Sequence, residues 1–569
     1  MNSIKNYPLI LCTILLLGSI HIQAQNKYRV YFTDKNGADY NPYEYLDCKA
    51  IERRFIHHLP LCDSSDYPIN ENYLTQVQLL ADSIYGTSRW MNAVFVYASN
   101  DGISDISKLP FVREIENVTQ PISALSSASS ELSNNATSSY DTSLSSDQLK
   151  LIEAQVLRLG GDKLAAAGLD GKGVRIAILD VGFKAYLSNP AFFEIRKRNG
   201  IVSTRDFVKG KANVETGMLH GTQVFSCVGG SVNNHKFGLA TGADYLLART
   251  ESYGEFFNEE ENWLMAAEWA DKNGADIINS SLGYTFQRYL PEQMNGKTAF
   301  VTRAAQFAVD KGILVVLSAG NEGESSWKRV TAPGDAAGAL TVGGIDPSTG
   351  IHIGFSSYGP SWDKRLKPEV TAYGRALVAS KNGFATAEGT SFSSPLVAGF
   401  AACLKQKYPD ITNTKLKEII CQSGDLWPYY DYAHGYGVPQ PGFLKPDTTT
   451  SVEQFDIVED SYSISIFPKD HLKDTTSTPS LSDTLTESAR DSIAQLIVNS
   501  IFHKNNYMTA WPDVLFYHIK NKKGYLDRYY VLDLEDEENG SVTINKSIAD
   551  RPFSIGIYYR GNYREIVVP

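Results

Sequence analysis

Between Leu149 and Leu444, short β-branched runs alternate with longer helical patterns, and that alternation leaves few architectures open. Val174 to Leu179, Tyr245 to Ala248, Asp276 to Ile278, Ile313 to Leu317 and Leu340 to Val342 read as buried strands. Helical stretches lie between them, such as Glu261 to Lys272, where Trp263, Ala266, Ala267 and Ala270 share one face. Strand and helix in alternation predict an α/β fold, a doubly wound parallel sheet with helices on both faces and ligand sites at the carboxyl ends of its strands.

The 569 residues suffice for about three or four domains at roughly 150 residues each. Residues 1–24 carry Lys5, an apolar run from Leu9 to Leu17 and then Ile22-Gln23-Ala24, the pattern of a cleavable export signal; a buried amino-terminal helix is the alternative. Cys12 lacks the small residues that precede a lipidated cysteine, and no other run is long enough to span a bilayer. A soluble exported protein without a transmembrane segment is therefore expected: extracellular, cell-surface or periplasmic. Residues 25–119 show strand patterns at Tyr28, Val30 and Phe32, at Trp90 to Val96 and at Phe111 to Ile115. Helical spacings at Leu74, Val77 and Leu80 and at Ile103, Ile106 and Leu109 complete a small α+β unit.

Residues 120–148 are rich in Ser, Asn and Thr and cannot bury enough surface to order themselves, which predicts a linker open to proteolysis. Residues 149–445 hold the α/β domain. Residues 446–569 follow the polar run Pro446 to Ser451 and read as a small β-containing domain without a legible role. There, Ser463 to Phe467 and Phe553 to Tyr559 alternate like strands, and Leu485, Ala489, Ile493, Leu496 and Ile497 recur at helical spacing.

A net charge of -11, with no long Lys/Arg tract against it, argues against a nucleic-acid partner. Five cysteines follow the signal, an odd number at wide spacing that forms neither a disulfide framework nor a zinc pattern. Cys48 and Cys62 are free to pair, while Cys227, Cys403 and Cys421 sit in apolar helical contexts as small core residues.

Three stretches carry chemistry. Gly389-Thr390-Ser391-Phe392-Ser393-Ser394-Pro395 turns from small hydroxyl residues into an apolar helix, placing Ser391 where unpaired backbone N–H groups would stabilise an oxyanion. The apolar run from Val174 ends abruptly in Asp180, and His220-Gly221-Thr222 opens another helix. Taken singly, each has a plain structural explanation as a cap, a loop carboxylate or a solvated imidazole. Together they supply a nucleophile, a base that takes its proton, and an acid that fixes the tautomer of the base.

On these motifs the chain resembles the subtilisin family of serine proteases, whose chain order of Asp, His and Ser is the one seen here. The resemblance implies a catalytic triad of Asp180, His220 and Ser391. It also implies that Asn321, within Ser318-Ala319-Gly320-Asn321-Glu322-Gly323, donates its side-chain amide to the oxyanion. Ser281, Leu282 and Gly283, together with Ala319 and Gly320, would bind an extended polypeptide substrate through main-chain hydrogen bonds. Phe355 to Pro360, Lys367 to Val370 and Gly435 to Val438 also resemble family segments, and Lys27 to Ile115 resembles, more loosely, the propeptide that assists folding and then occupies the cleft. Two positions depart from the pattern, Val181 for a small residue and Leu396 for a histidine. Calcium often stabilises the family, but no acidic cluster at ligand spacing is assignable here, so no metal ligand and no cofactor is named. The activity implied is that of a secreted endopeptidase made as a self-inhibited precursor; the alternative is a catalytically inactive binding or surface module on the same scaffold.

Overall fold

The structure, a computed structural model, describes residues 26–118, 143–252, 258–286, 288–442, 453–469, 507, 514–534 and 541–569. The proposed export signal, most of the 120–148 linker, the Pro446 to Ser451 run and the helical spacing from Leu485 to Ile497 lie outside the described residues.

Seven parallel strands make the central layer: β1 Arg175–Asp180, β2 Ile201–Asp206, β3 Asp244–Arg249, β4 Ile277–Ser280, β5 Leu314–Ser318, β6 Leu340–Ile345 and β7 Val370–Tyr373. Their spatial order is β7-β6-β5-β4-β1-β3-β2. The chain leaves β1 in one direction to build β2 and β3, then crosses back to build β4 to β7, so a crevice opens at the carboxyl ends of β1 and β4. The register aligns those ends, with Leu179 opposite Ser280 and Ser280 opposite Leu317.

Successive strand residues face opposite sides and meet different helices. Ile176, Ile178, Tyr245 and Leu247 pack with Phe225, Leu396 and Phe400 from the His220–Gly229 and Thr390–Lys407 helices. Ala177, Leu179, Leu246 and Ile278 pack with Trp263, Ala267 and Ala304 from the Glu259–Lys272 and Phe300–Asp310 helices. This is the expected doubly covered sheet. Two of its strands were not anticipated: β2 carries Ser203, Thr204 and Arg205 and lacks an apolar run, and β7 is only four residues long.

The amino-terminal unit is an antiparallel sheet in the order Ser83–Ser88, Ala93–Ala98, Asn26–Phe32, Val112–Asn117. The Glu71–Leu80 and Asn100–Ile106 helices cover one face through Val77 and Ile106. The other face presents Tyr31, Trp90 and Phe95 to the Trp263 side of the α/β domain. Two short helices, Pro42–Tyr45 and Cys48–Ile56, are inserted after the first strand. The Ser146–Leu157 helix, which takes in residues 146–148 of the expected linker, has its start fixed by a capping box between Ser145 and Gln148.

The carboxyl-terminal unit has a three-stranded sheet of Phe455–Glu459, Ser463–Pro468 and Val542–Asn545. A four-stranded sheet of Leu526–Asp533, Val514–Lys520, Phe553–Tyr559 and Asn562–Val568 faces it around Ile464, Leu515, Ile555 and Tyr559. Cys48 and Cys62 are free thiols, and Cys227, Cys403 and Cys421 are buried. No helix among the described residues is long and apolar enough to cross a membrane.

Candidate active site

Asp180 ends β1 fully buried, and its Oδ1 lies 2.7 Å from His220 Nδ1. The Val181 backbone N–H donates to the same oxygen at 2.8 Å. Oδ2 is buried without a hydrogen-bond partner among the described residues. The carboxylate therefore directs its charge at the imidazole.

His220 reaches Asp180 because its helix begins against the end of β1. Gly221 makes that approach feasible, since a Cβ there would stand 2.3 Å from the Gly182 carbonyl and 3.0 Å from Asp180 Cβ. Thr222 Oγ1 donates to the Lys184 carbonyl at 2.7 Å and ties the helix to the loop that follows Asp180. Burial alone would lower the His220 pKa, but the charge of Asp180 and the hydrogen bond to it outweigh burial and raise it above the ordinary histidine value. With Nδ1 committed to Asp180, Nε2 sits on the opposite edge of the ring. The ring centroid lies 5.9 Å from that of Phe392, the neighbour of Ser391.

Ser391 is the second residue of the Thr390–Lys407 helix, which starts after Gly389 at φ 146°, a conformation that disfavours any side chain. Its Oγ donates to the Ser281 carbonyl at 3.3 Å, so among the described residues the hydroxyl is bonded to the end of β4 and not to His220. The helix is locked to that strand end. Pro395 has no N–H for the carbonyl of Ser391 four residues earlier, and Ser281 Oγ donates to that carbonyl instead at 2.9 Å. Ser394 Oγ donates to Asn279 Oδ1 at 2.8 Å, and the Asn279 amide donates to Ser281 Oγ at 3.4 Å.

Asn321 lies just beyond β5, exposed to solvent. Its Oδ1 accepts from the Thr390 N–H at 2.9 Å and from Thr390 Oγ1 at 3.0 Å, which fixes the amide orientation and leaves Nδ2 for the cleft. The space left by the missing side chain of Gly389 is 3.3 Å from Asn321 Nδ2 and 3.7 Å from the Ser391 nitrogen. Two N–H donors thus border one small void beside the serine.

The remaining predicted residues flank this point. Ser281 and Leu282 are buried and Gly283 is exposed on one side, with Ala319 and Gly320 buried on the other. Gly320 N–H donates to Thr390 Oγ1 at 3.2 Å. Between the two segments runs Val330 to Ala332: Thr331 N–H donates to the Ala319 carbonyl at 3.0 Å, and the N–H of Tyr284, the residue after Gly283, donates to the Ala332 carbonyl at 2.9 Å. Sequence reasoning missed Thr331. Its Oγ1 is 2.4 Å from where a Cβ on Gly283 would be, and its Cγ2 is 2.5 Å from the same point on Gly320. That hydroxyl is buried without a partner among the described residues. No group of three or more His, Cys, Asp or Glu among the described residues is placed to hold a metal ion.

The family model described as "Subtilase family" matches residues 171–439, and one described as "Peptidase S8 propeptide domain, Bacteroidota" matches residues 27–136. Alkaline elastase YaB of Bacillus sp. (strain YaB) is 32% identical over 251 residues, 44% of this chain and 59% of its own length. Subtilisin BL of Lederbergia lenta is 29% identical over 254 residues, 44% of this chain and 82% of its own. Subtilisin DY of Bacillus licheniformis is 30% identical over 275 residues, 47% of this chain and 91% of its own.

Proposed function

The chain belongs to the subtilase family of serine peptidases, and from that premise we propose that it is an exported endopeptidase, made with a propeptide and cut free within Gln120 to Ser146. The observation that carries the reading is the 2.7 Å bond from Asp180 to His220, standing beside a serine whose helix start borders a void between two N–H donors. In this reading Asp180 holds the proton on Nδ1, and Nε2 takes the Ser391 proton as the hydroxyl turns from the Ser281 carbonyl to attack a peptide carbonyl. Ser391 N–H and Asn321 Nδ2 receive the oxyanion. Nε2 then protonates the leaving amine, and water hydrolyses the acyl-enzyme.

The substrate is a polypeptide, laid along Ser281 to Gly283 and Ala319 to Gly320. Thr331 closes the slot between those segments, which favours a small side chain next to the scissile bond. Thr331→Gly is expected to shift kcat/KM toward a phenylalanine there, relative to alanine, by about tenfold or more; cleavage of a peptide library by both enzymes checks it. Asn321→Ala is expected to lower kcat by about 10²–10³ with KM little changed, a magnitude that is subtilisin's own; steady-state kinetics on one peptide reads it. A fluorophosphonate probe separates enzyme from inactive scaffold: labelling that disappears in Ser391→Ala supports the protease, and an unlabelled wild type defeats it.

A further inference from the structure

At the carboxyl ends of β1, β3 and β2, charged residues stand in one register row: Asp180 opposite Arg249, and Arg249 opposite Asp206. Residues paired in this way point to the same face of a parallel sheet, here the face that packs against the His220–Gly229 helix. All three are buried. Among the described residues the guanidinium bonds to one of its two flanking carboxylates: Nη1 donates to Asp206 Oδ2 at 3.1 Å, while Asp206 Oδ1 accepts from the Lys209 N–H at 3.0 Å. Its Nε turns instead to the chain just past Asp180 and donates to the Val181 carbonyl at 3.1 Å.

Val181 is held on both sides. Its N–H donates to Asp180 Oδ1 at 2.8 Å, the oxygen that also meets His220 Nδ1, and its carbonyl receives Arg249. The residues after it run antiparallel to the stretch that leads into the His220 helix. Gly182 bridges Gly217, Phe183 N–H donates to the Val214 carbonyl at 3.0 Å, and Lys184 N–H donates to the Met218 carbonyl at 3.4 Å. The Arg249 side chain lies against this seam: a Cβ on Gly217 would stand 2.4 Å from the Val181 carbonyl and 3.0 Å from Arg249 Nε. The chain leaving Asp180 and the chain entering His220 therefore lie against one guanidinium.

We propose that Arg249 is a positioning residue of the triad, acting through the Val181 carbonyl to fix the angle at which Asp180 meets His220. This rests on the reading of Asp180, His220 and Ser391 as the catalytic set. Among the described residues Arg249 makes no hydrogen bond to any of those three side chains, so its effect passes through the backbone. Arginine suits the task because its planar fork donates in two fixed directions at once. One donor anchors it to Asp206 on the edge strand, and the other reaches the peptide beside the acid. Without the second bond that peptide is free to shift, and a displacement of about 1 Å at a catalytic group is enough to cost about 10²-fold in rate. The plain alternative is a charge pair that merely fastens β2 to the sheet. Positioning needs the Nε donor, whereas fastening needs the charge.

The two roles are separable in an Asp206→Asn background, where removing the guanidinium leaves no buried carboxylate unpaired at position 206. Methionine places a methyl group where arginine has Nε, and glutamine places an amide nitrogen there. Arg249→Met/Asp206→Asn, made as the full chain, is expected to hydrolyse a peptide with kcat lowered about 100-fold and KM changed less than about twofold. Arg249→Gln/Asp206→Asn is expected to regain about tenfold of that loss, with kcat counted per fluorophosphonate-reactive site. Circular dichroism and the melting temperature report whether both are folded. If the methionine protein is not, Arg249→Lys in the native background keeps a positive charge for Asp206 but puts a methylene at the Nε position, and kcat is expected to fall about tenfold. Glutamine and methionine variants with equal kcat, or a lysine variant as active as the parent, overturn the proposal, while hydrolysis by the parent that Ser391→Ala abolishes leaves the triad reading standing. A parent that hydrolyses nothing removes that reading and the proposal together.

Discussion

Ser391→Ala is expected to abolish peptide hydrolysis, lowering kcat by about 10⁶-fold, the loss that subtilisin itself shows for its serine. The effect is large because the triad acts as a unit: without the hydroxyl, His220 has no serine proton to take and no acyl-enzyme forms. What survives is binding and the residual stabilisation of the two N–H donors. The same variant is expected to keep its full length on purification while the parent shortens, read by intact mass. Shortening of both alike would refute self-processing. Ser391 Oγ now donates to the Ser281 carbonyl, so alanine removes one long hydrogen bond near the helix start, and the melting temperature is expected to stay within a few degrees.

Asp180→Asn is expected to lower kcat by about 10⁴-fold while leaving the fold intact. An asparagine that turns its amide toward His220 donates where the carboxylate accepted, which forces the proton from Nδ1 to Nε2 and removes the base. The variant also changes the pH profile in a direction the site dictates. Asp180 raises the His220 pKa against the opposing effect of burial, so the neutral, active form of the parent appears only above a value higher than an ordinary histidine's. Activity is therefore lost as pH falls through that raised value. With the carboxylate gone, burial is left unopposed and the acid limb of kcat/KM moves to lower pH. A limb that stays in place would mean that Asp180 is not the group charging the imidazole.

Much of this site was legible because its glycines and small hydroxyls mark backbone contacts that no other residue types permit. Gly221 can be read from His220-Gly221-Thr222 before the Gly182 carbonyl is seen against it, and the run after Ser391 already shows a helix start. The strands β1, β3, β4, β5 and β6 were legible as short apolar runs because parallel strands are buried on both faces. Thr331 was not legible, because its importance lies in two glycines, 48 and 11 residues earlier, that leave room for its side chain. The insertion from Tyr40 to Asp66 was equally hidden. Lys49, Arg53 and Arg54 look like the solvated face of a short helix, and only their partners at Gly173, Ala275, Asp271 and Lys311 turn them inward. Long-range ion pairs of that kind leave no periodic trace in either partner.

Pro395 gives the serine helix a missing rung, and the carbonyl freed by it belongs to the very peptide that carries the nucleophile. Ser281, the residue that fills the gap, is also the first residue of the segment on which a substrate would lie. The helix that carries Ser391 and the segment proposed to hold a substrate are thus joined at the Ser391 carbonyl by the Ser281 hydroxyl. The proline that costs the helix one internal hydrogen bond is what leaves that carbonyl open to the neighbouring strand end.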